Sequence, residues 1–157
     1  MKKKIRRLIL WALVVLVSAA IFCFSAQPAS ASAALSGEVT GGLYRVLQRI
    51  FPDLRFSDWE TAVAVVRKLA HLFLYFSLAV FSLFAFDTDV SPRGRAALFA
   101  FLFCVLFAAS DEVHQAFVPG RAMLATDVFI DSFGALLGLL SSFLCLGLLS
   151  RRAKKKR

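Results

Sequence analysis

A small set of polar residues in this chain has the types and spacing to do chemistry. Arg67, Lys68, His71 and Tyr75 fall in one short segment, Asp111, Glu112, His114 and Gln115 in a second, and Arg121, Asp127 and Asp131 follow closely. On a helix turning 100° per residue, Arg67, His71, Tyr75 and Ser82 share an arc of roughly 80°. The same arithmetic gathers Asp127, Asp131, Gly134, Gly138, Ser142 and Cys145 as narrowly. Asp111 and Gln115 are i, i+4 neighbours with His114 to one side, whereas Glu112 points away from His114 and is expected to face headgroups. Apart from His71 the cluster holds three bases, Arg67, Lys68 and Arg121, against four acids, Asp111, Glu112, Asp127 and Asp131, and is nearly self-neutralising.

Several chemistries are open to such a set. His71 can carry a proton, act as a ligand or simply bond to an acid. Asp111 and Asp131 can serve as acid and base if a low dielectric separates their protonation states. The carboxylates with His71 and His114 are of metal-ligating type. The recognised spacings such as His-Glu-x-x-His are absent, however, so no metal and no cofactor are expected. Tyr75 reads as a packing or interfacial aromatic. A buried polar network that fixes how helices pair is the alternative to all of these. Whether the chain is an enzyme stays open, because no nucleophile motif appears. A proton-coupled transporter is less attractive in a chain with four spans and no inverted repeat.

The elements that must hold these residues follow from composition. The 157 residues suit one domain, and 59% hydrophobic content with a mean hydropathy of +0.74 exceeds that of water-soluble domains. The formal charge of +9 suggests nucleic acid, but the two terminal basic runs hold eleven of the 19 bases and leave eight against ten acids between them. Basic ends beside long apolar runs are a membrane-orientation signal, and no nucleic-acid partner is expected. Cys23, Cys104 and Cys145 lie in separate apolar runs without paired spacing and read as small fillers.

The pattern predicts an all-α fold: a polytopic bundle of four transmembrane helices, at about 8–24, 67–86, 95–113 and 127–149, in a single domain 1–157. The first span resembles a signal peptide as well, with Ala31-Ser32-Ala33 as a cleavage pattern. A short extracytoplasmic helix over 35–51 is expected along the membrane surface, its Leu35, Val39, Leu43, Val46, Leu47 and Ile50 opposite Arg45, Gln48 and Arg49. Gly41 and Gly42 weaken it, and Pro52 ends it.

Ser57 and Glu60 fit a capping box opening the second long helix, which outruns the hydrocarbon core by about a third, and Thr126 or Asp127 is placed to cap the last. With both termini, Arg93 and Arg95 on one side, that side is cytoplasmic, and the polar cluster faces outward. The glycines Gly134 and Gly138 could serve dimerisation or packing within the chain. Asp131 on their face would cost about 2.5 to 3.5 kcal/mol against lipid, so that face is expected to pack inward.

The ordered pieces Phe24-Ser25-Ala26-Gln27, Arg67-Lys68-Leu69-Ala70-His71 with Tyr75, Ser110-Asp111-Glu112-Val113-His114-Gln115 leading to Pro119-Gly120-Arg121, and Asp127 with Asp131 and Gly134 resemble the VanZ-like family of bacterial membrane proteins. The resemblance covers about 24–138. It implies that the first span is retained, since Ser25 and Gln27 belong to the family pattern. It further implies a bacterial cytoplasmic membrane location and a link to teicoplanin susceptibility. Together with the polar cluster this gives two functional expectations. The first is a non-enzymatic protein whose outward pocket binds membrane lipid, a cell-wall precursor or the glycopeptide. The second is an acid-base or metal-assisted enzyme acting on a lipid-linked substrate.

Overall fold

The computed structural model describes residues 1–53, 55 and 57–155, with side chains described through 149. Lys156 and Arg157, the end of the C-terminal basic run, lie outside the described residues. Five helices follow one another: α1 Lys2–Ser25, α2 Ala29–Ile50, α3 Trp59–Phe86, α4 Arg93–Gln115 and α5 Ala125–Lys155. Of these, α1, α3, α4 and the Ala125–Leu149 part of α5 are long and apolar enough to cross a membrane. The described residues contain no strand.

Local chemistry moves several boundaries from their expected places. The second helix starts at Ala29, not at position 35, and is 22 residues long rather than short. Pro28 sits just ahead of it and accepts the first helical bond, from Ser32 N–H. The Ala- and Ser-rich stretch expected to offer a cleavage pattern instead supplies helical turns. The cap of α3 is Asp58, not Ser57: its carboxylate accepts the Thr61 backbone N–H at 3.2 Å and also the Thr61 hydroxyl. One acid there takes both donors of Thr61, its backbone N–H and its hydroxyl. Those bonds hold Asp58 below the usual carboxylate range.

Arg93 opens α4 two residues before the expected span, and its guanidinium grips Asp87 across the turn at 3.1 and 2.8 Å. Because α5 begins at Ala125, Thr126 and Asp127 lie in its first turn rather than at its cap.

Helix α3 is the centre of the bundle, in contact with all four others, most extensively with α5. That closeness depends on Gly134 and Gly138. A Cβ on Gly134 would overlap the Leu72 carbonyl oxygen, and one on Gly138 the Phe76 carbonyl oxygen. Across the bundle, α4 presents Ala96, Ala100, Cys104 and Ala108, all buried and four residues apart, to Tyr75, Leu78 and Leu83 of α3 in one core. Small residues at these crossings let backbones approach, which matters where lipid removes the hydrophobic drive between helices. Of the three cysteines only Cys104 fills the core; Cys23 and Cys145 are exposed, because their positions fall on the outward side of their helices.

Candidate functional site

The polar residues converge where α1 ends, α4 ends and α5 begins, beside the first half of α3. The opposite end of the bundle carries the basic N-terminus, where Arg7 meets Asp89 of the α3–α4 turn at 3.2 Å. On α3, the spacing of Lys68, His71 and Tyr75 turns all three toward α4 and α5. Lys68 Nζ donates to Asp127 Oδ1 at 2.5 Å, and His71 Nδ1 lies 3.9 Å from Asp131 Oδ2. Asp131 is 2% exposed.

Asp111, 4% exposed, is held from two sides. Its Oδ2 accepts the Ser25 hydroxyl at 2.6 Å and Gln115 Nε2 at 3.1 Å, while its Oδ1 is buried with no hydrogen-bond partner. Gln115 in turn donates to Ser25 Oγ and accepts from Arg121 Nη1, both at 3.2 Å. The end of α1 thus belongs to the site. Cleavage after Ala33 would remove Ser25 and with it the shortest bond to Asp111.

Arg121 reaches this network because the chain reverses at Pro119 and Gly120. Gly120 has φ +74°, a left-handed conformation that glycine adopts without strain, and a Cβ there would lie 3.1 Å from Ala29 Cβ. The guanidinium then donates to the Gln27 and Phe24 carbonyls at 3.0 and 3.2 Å, tying the loop to the segment where α1 ends. Burial, and after it the nearby Arg67 guanidinium, holds Arg121 below the ordinary arginine value. Arg67 has no hydrogen bond or ion pair among the described residues.

Two expectations are corrected here. Glu112 does not face headgroups: it is 1% exposed, and its Oε2 accepts the Leu124 N–H at 2.8 Å. The connection between α4 and α5 folds back over it, an event no single-helix projection contains. His114 is not brought to the cluster. Its ring stacks on Phe22 of α1 at 4.4 Å between centroids, and its Nε2 is buried without a partner. Tyr75 is fully buried beneath the cluster, with its hydroxyl unpartnered and its ring near Phe107.

Two spaces adjoin these residues. A polar cavity of about 20 Å³, room for a single water-sized group, is lined by Arg67, Lys68, His71, Glu112, Gln115, Arg121, Asp127, Ile130 and Asp131. An apolar groove of about 400 Å³ runs between α2 and α3, walled by Leu35, Val39, Val66, Phe73 and Leu74 among others, and it too reaches Arg67 and His71. Sequence reasoning missed this groove, Ile130 and the structural part played by Ser25. The last had a visible signal: Ser25 and Gln27 are polar residues closing an apolar run.

Comparison with known families gives one match: the family model described as VanZ/LLP1 covers residues 10–146. No curated protein and no solved structure matches the chain.

Proposed function

Since the chain belongs to the VanZ/LLP1 family and is a multi-pass membrane protein by its four candidate spans, we propose that it binds an anionic, acyl-chain-bearing envelope component and thereby influences teicoplanin susceptibility. One observation carries the reading. Arg67, a half-buried guanidinium without a hydrogen bond or ion pair among the described residues, stands where the polar cavity and the apolar groove meet. A phosphate or carboxylate headgroup suits the unpaired guanidinium, whose fork matches such oxyanions. Acyl chains suit a groove of about 400 Å³ walled by aliphatic and phenyl groups. The small polar cavity has room for a single oxyanion oxygen of a headgroup or cell-wall precursor and not for the bulky glycopeptide itself.

In this reading the chain is a single domain in a bacterial cytoplasmic membrane, with both termini cytoplasmic and the polar cluster outside. Helix α2 lies along the outer surface, its exposed Leu35, Val39, Leu43, Val46 and Ile50 entering the lipid.

Binding to the purified full-length protein tests the proposal, with phosphatidylglycerol and phosphatidylcholine in competition by native mass spectrometry. Phosphatidylglycerol is expected to win, and Arg67→Ala to weaken it about tenfold, the loss of about 1.4 kcal/mol. Equal retention of both lipids, or an unaffected Arg67→Ala variant, would overturn the reading. In a strain lacking the gene, wild type but not Arg67→Ala should restore the teicoplanin response.

A further inference from the structure

We propose that His71, Asp111 and Asp131 form a binding site for a divalent cation of the zinc class. A ring nitrogen of His71 and one oxygen of each carboxylate lie within 4.8 Å of one another, contributed by α3, α4 and α5. The sequence spacing hid this because the three ligands are 40 and 20 residues apart, on separate helices. The site adds to the reading of the same pocket and rests on it only for what occupies the remaining coordination position.

Two further observations point to a cation. The first is the divided hydrogen bonding of Asp111. Ser25 and Gln115 both donate to Oδ2, whereas Oδ1 is buried and accepts nothing. Donors that fix one carboxylate oxygen and leave the other with its lone pairs are the outer-shell pattern of a metal ligand. The second is charge balance. Lys68 is engaged by Asp127, and Arg121 gives its bonds to Gln115 and two backbone carbonyls. Asp111 and Asp131 are therefore left nearly fully buried, with His71 beside Asp131 and, among the described residues, no lysine or arginine hydrogen-bonded or ion-paired to either, although Lys68 and Arg67 line the same cavity as Asp131.

Two ionised carboxylates in that state are expensive to bury at membrane depth, so each must take up a proton or share a cation. A dication joins them while leaving His71 neutral, the form that ligates. One imidazole and two carboxylates make a three-ligand set of the kind that binds zinc with a fourth position for water or an oxyanion. The Arg67 guanidinium, lining the same cavity as His71 and Asp131, would face the headgroup oxygens from the other side.

The test uses full-length protein purified in detergent, stripped with a chelator and freed of lipid, so that it stands apart from lipid binding. Zn²⁺ is expected to bind at one equivalent per chain by calorimetry, and Co²⁺ to give visible d–d absorption. Asp131→Asn and His71→Gln should abolish both signals, whereas Asp87→Asn, at the other end of the bundle, should keep them. Ser25→Ala, which spares every ligand, should weaken Zn²⁺ about 10- to 100-fold. Circular dichroism reports whether each variant is folded. No bound Zn²⁺ in folded wild-type protein, equal binding by folded Asp131→Asn, or binding of Mg²⁺ but not Zn²⁺ would overturn the proposal.

Discussion

Arg121 shows how much one side chain can organise. Its guanidinium ties three separate segments together: the end of α1 and the turn after it through Phe24 and Gln27, α4 through Gln115, and its own loop. A lysine keeps the charge but not the planar fork, so Arg121→Lys is expected to lose two of the three bonds. The expected cost is about 1 to 2 kcal/mol, read as a lower unfolding temperature in detergent. An unchanged melting temperature would mean that solvent already competes for those carbonyls. At this scale the sequence was partly legible. Helical arithmetic placed His71 and Asp131 on inward arcs. It could not show that Glu112 is roofed by the backbone of Leu124, or that His114 is diverted by stacking on Phe22. Both depend on where a loop and a second helix go.

The contact between α3 and α5 is set by what is missing from it. Gly134 and Gly138 let α5 lie against the Leu72 and Phe76 carbonyls, and this approach carries Asp131 toward His71. Gly138→Leu is expected to force the helices apart and cost about 1 to 3 kcal/mol, as overpacked cores do. Gly42→Ala, with nothing within 4 Å, should leave thermal stability unchanged or slightly raised. Comparison of the two melting curves tests whether the loss comes from the seam rather than from any added side chain. The four long apolar helices were readable from run length because the bilayer fixes how many residues a span needs. Their starts were less readable. Asp58, not Ser57, caps α3, because the chain enters the helix one residue later and the Asp58 carboxylate faces both donors of Thr61, and α2 gained turns because an Ala- and Ser-rich stretch forms helix as readily as it suits a protease.

Across the whole molecule, charge is sorted to two ends. Arg7 with Asp89 and Arg93 with Asp87 lie at one end, and the cluster of His71, Asp111 and Asp131 lies toward the other. The proposed orientation puts the first end in the cytoplasm. On a cysteine-free background, Ser57→Cys is expected to react with a membrane-impermeant thiol reagent in intact cells, and Ser91→Cys only after permeabilisation; both positions are exposed. The reverse pattern would invert the topology and place the cavity inside.

Because Arg67 and His71 border both the polar cavity and the groove between α2 and α3, the proposed orientation and lipid binding would make the route inward run sideways, parallel to the sheet of lipid. A molecule using that door never has to leave its leaflet. Its encounter with the protein is a two-dimensional search, and its occupancy follows its mole fraction among the surrounding lipids rather than its concentration in water. Diluting the sample would leave such a complex intact. Diluting the bilayer with neutral lipid would empty it.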